Sequence, residues 1–347
     1  CEVFNVSITP NYPMADRSGA SPTALAITEF QEVLVPGEFQ AALKFEDSVF
    51  SYDGLGRQTD QFVSIGETDA FEHTPGADIG GTSIPSEART IPFDSKELVA
   101  AVWESNISRF NTHFEYRSAY AQRLGYAVAK QVNSRTARMI ALGARQDART
   151  VTGSSYTFKG GNLVWRNAAT LAAAYPLSAI GSRNIQDDLA AVRVLMQNKD
   201  CDFDQGQPIA YMDFDRINVL ARDNTIQSKE YIEPGTNRLL YRIVSLVEGF
   251  RIVGTSQMPN SNVTTGESAY QGDFSKVAIL CAWGKMGVGK RMAEGITADG
   301  PTWHGENRSW LMQAAHYSGI KWLQPAHLAE IHIGTSDYTL SNGVYAP

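Results

Sequence analysis

One long helical pattern, running from Thr112 to Arg149, constrains the fold of this 347-residue chain more than any other feature. Thr112 and Glu115 have the spacing of a capping box, in which their side chains accept hydrogen bonds from the free N–H groups at a helix start. Apolar side chains then recur at spacings of three, four and seven residues, as a single stripe: Phe114, Ala121, Leu124, Val128, Val132 and Met139. At about 1.5 Å per residue the predicted helix is a rod of about 50–55 Å, whereas the mean globular helix has only about 11–12 residues.

The segment before this helix, Ser48–Ser95, has the opposite character. It is rich in glycine and proline, contains no lysine, and holds two short strand-like pieces, Gln61–Ile65 and Arg89–Phe93. An isolated two-stranded ribbon is marginally stable in water, and so long a glycine-rich loop is unusual inside a compact domain. Either the segment is disordered, or another chain covers it. We favour the second interpretation because a solvated linker rarely carries so many large apolar side chains. These are Phe62, Val63, Ile65, Phe71, Ile79, Ile84, Ile91 and Phe93.

Length and composition limit the number of domains and the class of protein. The chain is long enough for two or three domains. It has no apolar run of membrane-spanning length and no secretory signal. The three cysteines lie far apart and outside any Cys-x-x-Cys pair, which favours a reducing cytoplasm over a disulfide framework. Helical and strand patterns interleave without regular alternation, so the predicted fold class is α+β.

The remaining patterns predict individual elements. Residues 1–45 read as an extended arm with helical pieces around Thr23–Phe30 and Gly37–Phe45. A hairpin is predicted between Thr150 and Pro176, and a helix over Asn184–Gln197 with Asn184 as its N-cap. Asp213 is expected to cap a further helix that ends at Leu220. Strands are predicted at Pro208–Met212, Leu239–Leu246, Gly249–Val253 and Val277–Ala282.

Charge is distributed unevenly along the chain. The net charge of −7 argues against a protein built to grip nucleic acid. Residues 48–95 carry eight acidic side chains and two arginines, whereas residues 112–149 carry seven basic and two acidic side chains. A basic ribbon follows one flank of the predicted helix: Arg123, Lys130, Arg138 and Arg145. The two segments are either complementary surfaces of neighbouring subunits or two solvated faces of unrelated composition.

No motif points clearly to enzymatic chemistry. Gly284–Lys290 fits the first seven positions of a phosphate-binding loop, but Arg291 stands where the magnesium-binding hydroxyl belongs, so a turn between strands is the better interpretation. Asp200, Asp202 and Asp204 alternate as in a calcium loop, without the glycine and the terminal glutamate that such a loop needs. The six histidines show no metal-binding spacing. We therefore expect no enzymatic activity, no cofactor and no metal.

The order of arm, long two-stranded loop, long helix and α+β region resembles the major capsid proteins of tailed bacteriophages, of the Hong Kong ninety-seven type. Within this group the chain looks more like the capsid proteins of the short-tailed podophages. The resemblance extends over about residues 25–333. The motifs that carry it are Phe45–Val49, Arg57 with Phe62–Gly66, His73–Gly76, Arg89–Asp94, Phe114–Ser118 with Leu124–Gly125, Val247–Val253 with Met258–Pro259, and Ala314–Ile331.

The resemblance implies an N-terminal arm (1–45), an extended loop (46–97), a peripheral domain (98–175 and 300–347) with a spine helix at 112–149, and an axial domain (176–299). It implies hexamers and pentamers that build an icosahedral shell around packaged double-stranded DNA, touched non-specifically. Further implied partners are a scaffolding protein, a portal and a decoration protein, with assembly in the cytoplasm of the bacterial host and no membrane. The loop residues expected to contact a neighbouring subunit are Arg57, Phe62, Ile65, Glu67, Phe71 and Arg89.

One further expectation concerns the shell, and two alternative functions stay open. Because no lysine occurs between Lys44 and Lys96, the loop cannot supply the amine for an isopeptide cross-link, and the shell should be held by non-covalent contacts. An encapsulin-type compartment, which uses the same fold to enclose enzymes, is the alternative within shell proteins. A nucleotide-binding enzyme that uses Gly284–Lys290 is the alternative from another class.

Overall fold

The computed structural model describes most of the chain beyond the N-terminal arm. The described residues are 34–53, 59–65, 72–76, 78, 84, 86–105, 117–150, 157–204, 206, 208–222, 246–293, 295–334 and 344–345. The helices are α1 Val35–Ala42, α2 Arg117–Ala144, α3 Leu171–Ala174, α4 Ala179–Gln197 and α5 Phe214–Leu220.

Strands make up most of the remaining structure. In chain order they are β1 Val49–Asp53, β2 Thr59–Ile65, β3 Ser86–Pro92, β4 Leu98–Ser105, β5 Arg149–Thr150, β6 Thr157–Phe158, β7 Asn162–Asn167, β8 Pro208–Met212, β9 Leu246–Val247, β10 Phe250–Gly254, β11 Asn262–Val263, β12 Gly272–Asp273, β13 Val277–Trp283, β14 Val288–Met292, β15 Thr297–His304, β16 Ser309–His316, β17 Ser318–Trp322, β18 Leu328–Gly334 and β19 Val344–Tyr345. The predicted α+β class is confirmed. Among the described helices, none has both the length and the apolar character that crossing a bilayer requires.

The chain divides into two compact units. The first contains residues 1–43, 97–131 and 294–317, and the second contains residues 44–96, 132–293 and 318–347. These boundaries differ from the predicted peripheral and axial domains, because residues 132–175 and 318–347 group with the predicted axial region. The reason lies in the sheet of the second unit, where β7 and β18 are paired with the strands of that region.

A seven-stranded sheet in the order β19-β7-β18-β13-β8-β10-β9 forms the centre of the second unit. Helix α4 presents an apolar face to the core beneath it, with Ile185, Leu189 and Val192 fully buried. Such a face follows from the spacing of these residues along the helix. A three-stranded sheet, in which β14 lies between β1 and β17, completes the larger part of this unit.

The first unit is built from α1, the beginning of α2 and the sheet β15-β16-β4. Gly125 of α2 lies against α1, where a side chain would meet the Val35 carbonyl. Phe39 of α1 is buried, and its ring centre lies 5.0 Å from that of His316 on β16. Alternation along β4 is strict, with every second side chain exposed.

The long predicted helix is present, but it ends earlier than predicted. Helix α2 spans 28 residues, about 42 Å at 1.5 Å per residue, and ends at Ala144 rather than Arg149. Beyond Ala144 the Gln146 side chain donates to the Leu142 carbonyl (2.9 Å). The Gly161 N–H donates to the Gln146 carbonyl (2.7 Å). These bonds satisfy carbonyl groups that the helix would otherwise use to continue. The predicted capping box at Thr112–Glu115 lies outside the described residues.

Other element predictions had mixed outcomes. The prediction for β8 is confirmed, as is the Asp213 cap, whose Oδ1 accepts from the Phe214 N–H at 2.8 Å. The Asn184 cap is wrong, because α4 already begins at Ala179 and the Asn184 side chain donates to the Ala174 carbonyl (2.7 Å). The predicted hairpin exists only as β5 and β6, since the following strand β7 joins the seven-stranded sheet.

Four other predictions concern the arm and the strands of the second unit. Strand β13 confirms the prediction for Val277–Ala282 and runs one residue further. Strand β10 begins one residue later than predicted, and of the predicted Leu239–Leu246 only the last residue lies among the described residues, in β9. The arm's helical piece at Thr23–Phe30 lies outside the described residues.

Candidate assembly surface

The predicted two-stranded loop is an antiparallel ribbon of β2 and β3. Its register runs from Thr59 opposite Pro92 to Ile65 opposite Ser86. Phe62 faces Arg89 across the strands, and Val63 faces Ala88 at the next pair. Because successive side chains of a strand point to opposite faces, these two pairs lie on opposite faces of the ribbon.

One face of the ribbon packs on the rest of the second unit, to which the ribbon itself belongs. The Phe62 ring lies edge-on to Phe50, with ring centres 5.7 Å apart. The Arg89 guanidinium lies 4.0 Å from the centre of the Trp322 ring, a cation–π contact, and it also donates to Glu87 (3.3 Å). Ile91 is 5% exposed. The base of the ribbon therefore folds on its own subunit.

This arrangement leaves one expectation untested and corrects another. Arg89, expected to contact a neighbouring subunit, is 8% exposed in its own subunit, and its contact with a neighbour stays a prediction. Residues 48–95 as a whole were expected to need a second chain, but β1 pairs with β14 of the same chain in parallel. A short strand with a long-range partner cannot be recognised from local sequence alone, because its pairing partner lies more than 200 residues away.

The opposite face of the ribbon is open. Val63 is 54% exposed, and Ile84, which precedes β3, is 50% exposed. Arg57, Glu67 and Phe71 lie outside the described residues, as does the side chain of Ile65. The described part of the ribbon thus offers apolar side chains on a face that its own unit does not cover.

A buried carboxylate anchors the end of the ribbon. The Tyr270 hydroxyl donates to Asp94 Oδ1 (2.7 Å), and Arg135 Nη1 donates to Asp94 Oδ2 (2.5 Å). The Asp94 backbone N–H donates to the Ser318 carbonyl (3.3 Å). Burial raises the pKa of Asp94 to about 6, against the lowering effect of Tyr270 and Arg135. Sequence reasoning placed Asp94 in an acidic segment and in the motif Arg89–Asp94, but it missed the partners of this carboxylate, because none of them is near it in the chain.

Three consecutive side chains fix the beginning of the same segment. In the turn Glu46–Ser48, Glu46 pairs with Lys290 of β14, Asp47 pairs with Arg251 of β10, and Ser48 hydrogen bonds to Tyr211 of β8. The three partners come from different strands, so this turn ties two sheets of the second unit together. Sequence analysis missed it, because nothing in three adjacent polar residues reveals partners more than 160 residues away.

The predicted basic ribbon does not form one exposed surface. Arg123 and Lys130 are exposed. Arg138 is half-buried, and burial together with neighbouring Arg135 lowers its pKa. Arg145 lies beyond the helix end, and its guanidinium forms two bonds of 2.6 Å to the fully buried Glu330. Arg145 is therefore part of the core of the second unit, because a buried carboxylate requires a cationic partner.

The buried pair of Arg145 and Glu330 has further partners. His332 Nδ1 lies 3.1 Å from Glu330 Oε1, and Arg145 also donates to the Asp273 carbonyl (2.7 Å). Burial alone would raise the pKa of Glu330, but the hydrogen bonds from His332 and Arg145 hold it below its usual value. Glu330 therefore remains ionised inside the sheet.

The enzyme-like motifs have structural roles. The turn predicted over Gly284–Lys290 covers only residues 284–287, because Val288–Met292 is strand β14. Lys290 lies in β14, is 1% exposed, and pairs with Glu46, so its amine does not face a phosphate site. Asp202 accepts a hydrogen bond from the Asp204 N–H (2.9 Å), as in an ordinary polar turn. The described part of the chain contains no group of three or more side chains that could hold a metal ion.

Comparison with known families gives one match. The model of the Gp10A-like family, described as major capsid protein, matches residues 61–282. This match covers the ribbon, the long helix and most of the seven-stranded sheet. No curated protein matches the sequence at a significant level.

Solved phage structures share the fold. The capsid structure of the cyanophage P-SCSP1u is 21% identical, with a TM-score of 0.70, over 84% of this chain and 88% of that chain. The asymmetric unit of the mature capsid of bacteriophage PhiM1 is 14% identical, with a TM-score of 0.66, over 85% of this chain and 88% of that chain. Mycobacterium phage Che8 is 10% identical, with a TM-score of 0.54, over 79% of this chain and 84% of that chain.

Proposed function

Because the chain belongs to the Gp10A-like family of major capsid proteins, we propose that its copies join through hexamers and pentamers into a shell that encloses packaged double-stranded DNA. Its role in the virion is structural: it is a subunit of an icosahedral capsid.

The ribbon of β2 and β3 is the observation that carries this proposal. Its inner face is fixed on its own subunit by Phe62, Arg89 and Ile91, whereas its outer face exposes Val63. A ribbon with a rigid base can present its outer face in a defined orientation, which lowers the entropy cost of binding. We infer that a neighbouring copy covers the outer face.

A second open apolar surface supports the same proposal. In the first unit, every second side chain of β4 lies on one exposed face of the strand. This face carries Val99 (57% exposed) and Trp103 (49% exposed). Exposed apolar patches commonly mark interaction surfaces. Together with the ribbon, this face gives the chain more than one contact surface, as a closed shell requires.

The energy of such contacts is sufficient for a shell. Each large apolar side chain buried against a neighbour contributes about 1.5–3 kcal/mol, and a standard interface buries about 1,600 Å² in total. Several contacts of this kind for each subunit, repeated over the shell, would resist the pressure of packed DNA.

Charge supports a role for the exposed end of the long helix. Helix α2 contains no acidic residue, and Arg123 and Lys130 are exposed on it. We propose that these two side chains meet either the acidic loop of a neighbouring copy or phosphates of the packaged DNA. In the first case, added salt should weaken assembly of the rings without unfolding the subunit.

The further partners that we propose are a scaffolding protein, a portal and a decoration protein, with assembly in the cytoplasm of the bacterial host. The podophage-like order of sequence motifs supports these proposals. Because the loop contains no lysine between Lys44 and Lys96, the shell should be non-covalent. A covalent ladder from boiled particles on an SDS gel would contradict this.

The two alternatives are not favoured. The matching family consists of major capsid proteins rather than compartment shells. A nucleotide-binding enzyme would need the Lys290 amine, which is buried against Glu46.

Negative-stain microscopy of the purified protein tests the proposed function. We expect closed shells or capsomer rings, formed by the chain alone or together with a scaffolding protein. A protein that remains monomeric at every accessible concentration under both conditions would contradict the proposal.

A further inference from the structure

The three-stranded sheet of the first unit has two edges of different character. Its strand order is β15-β16-β4, so β15 and β4 are the outer strands. An outer strand presents backbone N–H and C=O groups with which another extended chain can pair. Natural proteins usually protect such an edge with proline, with β-bulges or with charged side chains.

Strand β15 carries this protection. It contains Gly300 and Pro301, and its register with β16 shifts between Asp299 and Thr302. Pro301 has no N–H to donate, the irregular register disturbs the ladder, and Asp299 adds an exposed charge. A further strand could not pair regularly with β15.

Strand β4 lacks nearly all of these features. Its eight residues include no proline, glycine, lysine or arginine, and Glu104 is its one charged side chain. It pairs with β16 in unbroken register from Leu98 to Ser105. Over residues 98–104, every second residue directs its N–H and C=O away from β16. In the part of the chain that the structure describes, no strand pairs with these groups. Strand β4 can therefore accept another strand.

The side chains of β4 are less covered than those of the central strand. On the inner face of the sheet, Met312 of β16 is fully buried, whereas its partner Val102 on β4 is only half-buried. On the outer face, Val99 and Trp103 are both exposed. A strand added beside β4 would therefore cover apolar side chains on both faces.

The sequence of β4 is complementary to an antiparallel copy of itself. In a pair related by a twofold axis at Ala101, Val99 of each copy lies opposite Trp103 of the other, because both are two residues from the axis. An aromatic side chain opposite a β-branched one stabilises a strand pair by about 0.2–1 kcal/mol. An axis at Val102 would instead place Trp103 opposite alanine and Val99 opposite Ser105. The register at Ala101 thus pairs the large exposed side chains with each other.

The same register keeps the acidic side chains apart. Glu104 lies opposite Leu98, so the two Glu104 residues of the pair are separated by six residues, or about 20 Å along the strands. Glu97, which precedes the strand, lies opposite Ser105. Because their positions alternate along the chain, Glu97 and Glu104 are on opposite faces of the sheet. Like charges therefore do not oppose this pairing directly.

We propose that β4 of one copy pairs with β4 of a second copy about a twofold axis at Ala101, which makes one six-stranded sheet of two three-stranded ones. The inference rests on the proposed function, because it names a contact between copies in the shell. Contacts within a ring join two different surfaces, whereas a twofold contact joins the same surface of both copies. This pairing therefore joins one ring to the next.

Cysteine cross-linking measures the register directly. In shells of a chain whose Cys1 is replaced by serine, a short thiol cross-linker should join Ala101→Cys chains into dimers, since directly opposite residues have Cβ atoms about 4.5–5.5 Å apart. The cysteines at 201 and 281 are buried. Val99→Cys is the matched control: it lies on the same face, but the two copies of residue 99 are about 14 Å apart in this register. A cross-linker too short for that distance should leave it monomeric on a denaturing gel.

Opposite charges at the axis test whether the strand pairs with itself. Ala101→Lys and Ala101→Glu each bring two like charges together, so each variant alone should raise the concentration needed for shells by about tenfold or more. Both should melt at the wild-type temperature, because Ala101 is exposed in the subunit. An equimolar mixture should assemble more readily than either variant, since lysine then faces glutamate. Asn307→Lys, in the exposed turn between β15 and β16, is the control and should assemble as the wild type does.

Three results would overturn the inference and leave the proposed function in place. These are shells of Ala101→Lys at the wild-type concentration, a mixture of the Lys and Glu variants that assembles no better than either alone, and Ala101→Cys shells that give no cross-linked dimer. A wild-type chain that never assembles, with or without a scaffolding protein, would remove both the inference and the proposed function.

Discussion

The two main sheets of the molecule differ in how far their apolar side chains are buried. In the seven-stranded sheet, every residue of β8 and of β18 is buried. In the three-stranded sheet of the first unit, β4 alternates between half-buried and exposed side chains, and Val99 and Trp103 are among the exposed ones. The first pattern is typical of a sheet covered on both faces by its own chain. The second leaves one apolar face for a partner.

This difference separates folding from assembly. Changes in the seven-stranded sheet should destabilise the subunit itself. Changes on the open face of β4 should leave the subunit folded and weaken the contacts between copies. The predictions below test this separation, beginning with the largest expected effect.

The buried carboxylate of the seven-stranded sheet should be the most sensitive position. Glu330→Gln leaves the Arg145 guanidinium buried without a charged partner, which costs about 3–5 kcal/mol of the free energy of unfolding. Urea denaturation measures this change. Glu306→Gln, at an exposed position of the first unit, is the control and should leave the midpoint unchanged. Equal midpoints for both variants would show that the buried pair does not stabilise the unit.

A substitution at a buried leucine tests the core of the same sheet without changing any charge. Leu189 of α4 is fully buried in the core beneath the sheet. Leu189→Ala should lower the free energy of unfolding by about 2–5 kcal/mol, because it removes buried apolar atoms and leaves a cavity. Thermal melting is the measurement, and Val99→Ala on the exposed face of β4 is the matched control. If Leu189→Ala and Val99→Ala melted at the same temperature, the proposed difference between the two sheets would be wrong.

Asp94 should make stability depend on pH. Its pKa is about 6 in the folded chain and 3.8 in the reference state, so the folded chain binds the extra proton more readily between these values. This group therefore stabilises the fold most below about pH 4, and its contribution of about 3 kcal/mol is lost as the pH rises through 6. Burial is the main cause of the raised pKa of Asp94; Tyr270 and Arg135 lower this pKa, and Glu267 raises it further.

Denaturation at several pH values checks this contribution. The difference in unfolding free energy between the wild type and Asp94→Asn should grow in favour of the wild type as the pH falls from 7 to 4. Asp78→Asn, at an exposed position, should show no such trend. A constant difference between wild type and Asp94→Asn would mean that Asp94 titrates normally.

The smallest effect on folding is expected on the open face of β4. Trp103→Thr removes an exposed side chain from a strand position that threonine also favours, so the free energy of unfolding should change by about 0.5 kcal/mol or less. Assembly should nevertheless weaken, as sedimentation of the two proteins at matched concentrations would show. Unchanged sedimentation would exclude this face from the contacts between copies.

Sequence patterns correctly predicted those helices and strands that depend on neighbouring residues in the chain. Strand β8 and the Asp213 cap follow from a continuous apolar run and from an acidic residue at its end, and the ribbon follows from two strand-like pieces separated by turns. The end of α2 could not be predicted, because it depends on the hydrogen bond between Gly161 and Gln146. The Asp94 cluster and the turn at Glu46–Ser48 were missed for the same reason: their partners lie far away in the sequence.

The candidate assembly surface was predictable only in outline. Sequence patterns located the acidic, apolar loop and the basic helix, but not which side chains remain exposed. Arg89, Arg145 and Arg123 were all predicted to lie on a contact surface. In the subunit, however, Arg89 packs against Trp322 and Arg145 is paired with Glu330. Whether a charged residue faces a neighbour or its own core depends on tertiary packing, which charge patterns do not reveal.

Cryo-electron microscopy of assembled particles tests the central claim most directly. We expect a closed shell in which Val63 of the ribbon and Trp103 of β4 each lie against another copy of the chain. Particles in which both side chains remain in contact with solvent would contradict the account.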